Sequence, residues 1–144
     1  MAAGAQAGYL GKVTVPADGE KSVLEMANWV ISGMETDMLE DTQFTETFKS
    51  YIPGQGDGGI VTVSGNYNPE DDLTTEGQGY LMDAWINKTA VATPKFYFND
   101  TEYFELTGGG TAWCQSIDDL GTDQTGLCKL TFVIRISGGY LAKA

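Results

Sequence analysis

The chain contains 20 aspartates and glutamates and no histidine, so carboxylates are its main candidates for catalytic chemistry. A glycoside hydrolase uses two separated carboxylates, one as the general acid and the other as the general base or the nucleophile. Asp71 and Asp100 are an example of such a pair in this chain. Both residues fall in predicted turns, where carboxylates are usually solvated charges. Cys114 and Cys128 lack a histidine to serve as their base. We therefore expect no catalytic residues and no enzyme activity.

Two segments rich in glycine and aspartate, 55–59 and 118–123, have the composition of calcium loops. Neither has the EF-hand spacing with its terminal glutamate, so turns are favoured at both places. Two cysteines without histidine are too few for a zinc site made by one chain. A glycine-rich phosphate motif before a predicted helix is also missing. The sequence predicts no metal and no cofactor.

The charge balance sets the chain apart from nucleic-acid-binding proteins. Against the 20 acidic residues stand 8 lysines and arginines, a formal net charge of −12 over 144 residues. Such a surface repels nucleic acid phosphates and acidic lipids, although it could also serve solubility alone.

Neither a secretory signal nor an apolar stretch of bilayer-spanning length is found in the sequence. We expect no membrane insertion and assembly in a cytoplasm. Cys114 and Cys128 lie on consecutive predicted strands and could be cross-strand neighbours. In a reducing compartment, two thiols are favoured over a disulfide.

Alternation of apolar and polar residues predicts a mainly β chain. Trp29 and Ile31 share one side of a long strand at 23–33, whose other side carries Asn28 and Ser32. Further predicted strands are 8–18, 60–67, 96–98, 103–106, 111–117 and 127–137, with an acidic loop at 118–126.

A helix is predicted at 76–88, because Tyr80, Leu81, Ala84 and Trp85 recur at helical spacing. Two glycines in its first turn make it depend on docking against the sheet. The expected core is Trp29, Val61, Val63, Leu81, Trp85, Phe132 and Ile134.

The segment 35–59 has no clean period, yet large apolar residues are scattered through it. These are Met38, Leu39, Phe44, Phe48, Tyr51 and Ile52. A structureless loop of this length is unusual in a compact domain. Either the segment forms its own hairpin or it orders against another subunit, and folding back onto its own core also remains open.

Small polar side chains stand opposite the apolar faces of the long strands. They are Asn28, Ser32, Thr62, Ser64, Asn66 and Thr131. Taken alone, this pattern is typical of an ordinary solvent-exposed sheet face.

The order of these features resembles the tail tube (major tail) proteins of long-tailed bacteriophages. The resemblance rests on the Trp29 strand, the acidic segment 35–44, the turn Tyr51-Ile52-Pro53-Gly54, the strand 61–67 and the turn Asn68-Pro69. It implies one tail tube domain over 1–144, a β-sandwich or barrel-like fold flanked by one helix. Residues 1–22 would form an N-terminal arm and first strand, and 35–59 a long assembly loop.

The resemblance further implies hexameric rings that stack into a tube, with an inner β-barrel completed by the ring. The six small polar residues would line its lumen, and the six large apolar residues of 35–59 would contact neighbouring subunits or rings. Implied partners are tail terminator, tape measure and baseplate or tip proteins. Double-stranded DNA would pass transiently, without specific binding, within the tail of a virion.

Two alternatives stay open. A contractile-tail or secretion-system tube subunit shares the fold. A carbohydrate-binding β-sandwich is suggested by Trp29, Trp85 and Trp113. That second hypothesis predicts exposed aromatic platforms and a stable monomer, whereas the tube hypothesis buries Trp29 and Trp85.

Overall fold

Twelve β-strands and one α-helix make up the described part of the chain, residues 11–15, 21–22, 28–67, 77–99, 101–121 and 128–144 of a computed structural model. The strands are β1 (Lys12–Val15), β2 (Lys21–Ser22), β3 (Asn28–Ser32), β4 (Glu35–Glu40), β5 (Tyr51–Asp57), β6 (Ile60–Asn66), β7 (Ala90–Val91), β8 (Lys95–Tyr97), β9 (Tyr103–Thr107), β10 (Thr111–Gly121), β11 (Lys129–Ser137) and β12 (Tyr140–Lys143). The helix is α1 (Gly77–Asn87).

The strands form two five-stranded antiparallel sheets and a separate hairpin. Sheet 1 has the order β3-β6-β11-β10-β7, and sheet 2 has the order β12-β9-β8-β1-β2. The hairpin consists of β4 and β5 alone. The expected mainly β, sandwich-like fold with one helix is confirmed, and the segment 35–59 does contain its own hairpin.

The core lies between the two sheets. Along β11, Leu130, Phe132, Ile134 and Ile136 are buried in strict alternation with more exposed residues. Residues Val61, Val63, Leu81, Phe132 and Ile134, all expected in the core, are fully buried. Phe96 of sheet 2 is also fully buried within the same cluster. Period-two alternation thus places one face of each strand against the other sheet.

Trp29 joins the two sheets and is partly buried. Its indole Nε1 donates a hydrogen bond of 2.7 Å to the backbone oxygen of Tyr97. Its ring lies 5.8 Å from that of Phe96 and 5.9 Å from that of Phe104. A buried indole needs such a partner for its N–H, so this hydrogen bond fixes where sheet 1 sits on sheet 2.

Helix α1 covers one end of the core with Leu81 and Ala84. Gln78 is fully buried, and its Nε2 donates 2.8 Å to the backbone oxygen of Asn66 at the end of β6. The backbone N–H of Ala92 donates 3.0 Å to the Tyr80 hydroxyl oxygen. Because its first turn is held by these two hydrogen bonds, the glycines there are tolerated, as the docking argument predicts.

The expectation that Trp85 lies in the core is wrong, since its residue is 47% exposed. Every residue from Trp85 to Lys88 is exposed. The last helical turn therefore runs beyond the part of the protein that covers α1, and helical spacing alone cannot reveal where that cover stops.

Strand bounds differ from the sequence prediction mainly near the chain end. An acidic loop was expected to begin at 118, but β10 continues through 118–121. Its pairing with β11 contains two register shifts, one between Cys114 and Ser116 and one between Asp118 and Gly121. Asp119 takes a positive φ of 58° there. The short strands β2, β7 and β12 were not predicted, because two to four residues carry too little alternation.

The two cysteines are free thiols and are not cross-strand neighbours, so that expectation is wrong. Cys114 stands opposite Ile134, whereas Cys128 precedes the start of β11. Burial raises the pKa of the Cys114 thiol to about 12.

Several sequence predictions fall outside the described residues. These are the arm at 1–10, the strand residues Val23 and Ala27, the carboxylates Asp71 and Asp100, and the second half of the 118–126 loop.

The different surroundings of Phe132 and Trp85 lead to a prediction on stability. Phe132→Ala should lower the free energy of unfolding by about 3–5 kcal/mol, because it empties a fully buried site. Trp85→Ala should cost less than about 2 kcal/mol, because half of its surface is already in water. Chemical denaturation of the unassembled protein measures both, and equal losses would show that Trp85 belongs to the core.

Candidate assembly surfaces

A polar surface covers the face of sheet 1 that points away from the core, and we call it the polar face. Its rows run across β3, β6, β11 and β10: Asn28, Ser64, Thr131 and Asp118 in one, Val30, Thr62, Val133 and Ser116 in the next, and Ser32, Ile60, Arg135 and Trp113 in a third. Asn66 pairs with Lys129 at the far end. All six small polar residues singled out in the sequence therefore lie on this one face.

The polar face is nearly neutral, in contrast to the chain as a whole. Its charged side chains in the described rows are Asp118, Lys129 and Arg135. Arg135 Nη2 donates to Asp57 Oδ2 at 2.8 Å, at the edge of the face. Two acidic and two basic groups thus balance each other there.

Sheet 1 has two unpaired edges among the described strands. β3 pairs only with β6, and β10 beyond Trp113 pairs only with β11. Such edges present rows of free backbone N–H and C=O groups, which are templates for another strand.

The β4–β5 hairpin exposes apolar side chains on both of its faces. Leu39 stands opposite Ile52, while Met38 opposite Pro53 lies on the other face. Of the apolar residues predicted as contacts, Met38, Leu39, Tyr51 and Ile52 are about half exposed, and Phe44 and Phe48 at the tip are almost completely exposed. None of the six folds back onto the core, although burial in an interface stays a prediction.

The hairpin tip is ordered by its own hydrogen bonds. The Asp41 N–H donates 2.8 Å to the Ser50 oxygen, and the Ser50 N–H donates 3.0 Å to Thr42 Oγ1. The Glu46 N–H closes a turn on the Gln43 oxygen at 3.0 Å. The exposed phenylalanines therefore project from a closed loop.

Glycines allow the hairpin to leave the sheet. Gly33 between β3 and β4 has a φ of 75°, and Gly59 between β5 and β6 has a φ of 86°. A Cβ at Gly59 would lie 2.4 Å from the Ser32 oxygen. The Ile136 N–H donates 3.0 Å to the Gly59 oxygen, which ties the hairpin base to β11.

The described residues contain no group of three or more histidine, cysteine, aspartate and glutamate side chains that could hold a metal ion. Within the same residues, no helix has the length and apolar character needed to cross a membrane.

Comparison with known proteins rests on structure alone, because no family model and no curated protein matches the sequence. A chain of the virion of a native gene transfer agent particle superposes with a TM-score of 0.73 at 13% identity, over 97% of this chain and 99% of that one. The two chains therefore share a fold. The cap that terminates the tube of an anti-feeding prophage gives a TM-score of 0.69 at 15% identity, over 100% and 93% of the two chains.

The same fold occurs in contractile systems. A chain of the sheath–tube complex of an extracellular contractile injection system, in its extended state, matches with a TM-score of 0.64 at 16% identity, over 94% of this chain and 90% of that one. In all three comparisons the shared fold covers at least 90% of both chains.

Sequence reasoning missed the pairing of Asp57 with Arg135. The two residues are 78 positions apart, and Asp57 lies in a segment without periodicity. The signal available in the sequence was that Arg135 is the only arginine of the chain.

The close approach at Gly59 leads to a prediction with a matched control. Gly109 also has a positive φ, of 76°, but a Cβ there would meet nothing within 4 Å. Gly109→Ala should cost the backbone strain alone, about 1–2 kcal/mol. Gly59→Ala adds the clash with Ser32 and should cost about 1–3 kcal/mol more. Denaturant unfolding measures the difference, and equal losses would mean that the hairpin base accepts a side chain.

Proposed function

We propose that the chain is a structural subunit that assembles as stacked hexameric rings into the tube of a phage-type tail, through which DNA passes. The observation that carries this proposal is the likeness to chains of a virion, of a tail and of a tube-terminating cap, over nearly the whole length of both partners. One of these chains comes from the tail of a gene transfer agent particle with C6 symmetry. In this role the chain is structural rather than catalytic and resides in a virion tail.

The open edges of sheet 1 support ring formation. In the ring, the β3 edge of one subunit pairs with the free edge of β10 in the next, which satisfies the backbone groups of both. Repetition around the ring closes the sheets into a barrel without edges. The polar face then lines the lumen, because the opposite face of sheet 1 is buried in the core.

The near-neutral polar face suits a channel for DNA. A lining with an excess of lysine and arginine would hold phosphates through counterion release. A lining without such an excess lets the duplex slide, and the net charge of −12 adds no attraction.

The hairpin supports stacking or contact between adjacent subunits. Apolar residues on both faces and at the tip are a liability for a free monomer, and they become anchors when neighbours cover both sides. Tail terminator, tape measure and baseplate or tip proteins remain the expected partners at the tube ends.

A second candidate is the tube subunit of a contractile-tail or secretion-type system, favoured by the likeness to a sheath–tube complex. The assembly described above is common to both candidates. The carbohydrate-binding hypothesis gains from the exposure of Trp85 and Trp113. It offers no account of the apolar hairpin, so we favour the tube.

Replacement of the two tip phenylalanines tests the role of the hairpin. Phe44→Ser with Phe48→Ser should keep the circular dichroism of the fold, because both side chains are almost completely exposed. The variant should not form the tubes that we expect negative-stain microscopy to show for the native chain. Gln43→Ser with Thr45→Ser, in the same loop, is the matched control and should form tubes. Normal tubes from the phenylalanine variant would contradict the proposed contact.

Lysines on the polar face test its position in the tube. Thr62→Lys with Ser64→Lys adds cations in two neighbouring rows, and every subunit repeats them, so weak phosphate contacts should add up. Tubes of this variant should sediment with short duplex DNA at low salt and release it at high salt. Thr89→Lys, exposed after the helix, is the control. Equal DNA binding by both variants would show that the polar face does not line the channel.

A further inference from the structure

The only arginine of the chain lies on the polar face, where the proposed function would place it beside DNA. Arg135 stands in the row of Ser32 and Ile60, and its side chain is 43% exposed. A guanidinium can bind phosphate through two parallel donors, which a lysine ammonium cannot match in geometry. Repeated in every subunit along a tube, a free guanidinium would oppose the sliding of DNA.

Asp57 holds this guanidinium in a fixed ion pair. Arg135 Nη2 donates to Asp57 Oδ2 at 2.8 Å. The other carboxylate oxygen, Oδ1, accepts the Gly59 N–H at 2.8 Å. The carboxylate is thus held by the turn at the hairpin base and directed at the arginine.

We propose that Asp57 neutralises Arg135 and so prevents this cation from retaining DNA in the channel. The inference rests on the proposed function, since it needs the polar face to line the lumen. It assigns the hairpin base a part in DNA passage, in addition to any contact that the hairpin makes with neighbouring subunits.

The competing role for the pair is to brace the hairpin. Two observations weigh against bracing as its main effect. Half-exposed ion pairs contribute little to stability. The Ile136 N–H also ties the hairpin to β11 by a separate hydrogen bond of 3.0 Å to Gly59.

The test compares tubes of the native chain with tubes of Asp57→Asn. Asparagine keeps the Oδ1 that accepts the Gly59 N–H. It removes the negative charge and replaces the oxygen that accepts from Arg135 with an NH2 donor, so the guanidinium loses its partner. Asp37→Asn is the matched control, because it removes the same charge from an exposed position in the same hairpin. The probe is a fluorescent duplex of about 25 base pairs, and the readout is the DNA that sediments with the tubes at about 50 mM salt, where phosphate contacts are strong.

We expect Asp57→Asn tubes to retain about tenfold more DNA than native or Asp37→Asn tubes, and to lose it at about 300 mM salt. The double variant Asp57→Asn with Arg135→Gln should return to the native level. Arg135→Gln alone leaves the Asp57 carboxylate unpaired and should retain no more DNA than native tubes.

Other outcomes overturn the inference. Equal retention by native and Asp57→Asn tubes would show that Asp57 does not prevent Arg135 from binding DNA. Loss of tubes in both Asp57→Asn and the double variant would show that the pair serves assembly. Retention by the double variant below the native level would show that the arginine already holds DNA, because the site is neutral in both. Failure of the native chain to form tubes would instead reject the proposed function, before any DNA is added.

Discussion

Burial of one face of sheet 1 is the constraint on which the rest of the structure depends. Phe132 and Ile134 of β11, with Val61 and Val63 of β6, are fully buried against sheet 2 and helix α1. Because side chains alternate along a strand, this burial forces Thr62, Ser64 and their row partners onto the opposite face. The polar face is therefore a necessary consequence of the core, and a slip of one residue in register would destroy both.

The β4–β5 hairpin takes no part in this burial, because two glycines allow it to leave sheet 1. With Gly33 and Gly59 in the left-handed region, β3 and β6 stay in sheet 1 while β4 and β5 project from it. A separate hairpin cannot bury its apolar residues against its own domain. We infer contacts with other subunits from its exposed Phe44 and Phe48, and the Asp57–Arg135 pair links its base to the polar face.

The sequence was informative where alternation is long and regular. It predicted the faces of β3, β6 and β11 and the helix, whereas the hairpin within 35–59 was one of the alternatives left open. It could not predict which turn of α1 is left exposed to solvent, so Trp85 was wrongly assigned to the core. It also could not predict that β10 continues past Asp118 into the acidic segment through register shifts. Contacts between residues far apart, such as Asp57 with Arg135, leave no local pattern. Contacts between copies of the chain cannot be predicted from local patterns within one copy.

Helical reconstruction of tubes formed by the purified protein tests the central claim most directly. The account predicts hollow tubes in which Thr62, Ser64 and Thr131 face the central channel and β3 of each subunit pairs with β10 of its neighbour. It also predicts that the β4–β5 hairpin is covered by another subunit. A protein that stays monomeric at high concentration, or tubes whose channel is lined by sheet 2, would contradict it.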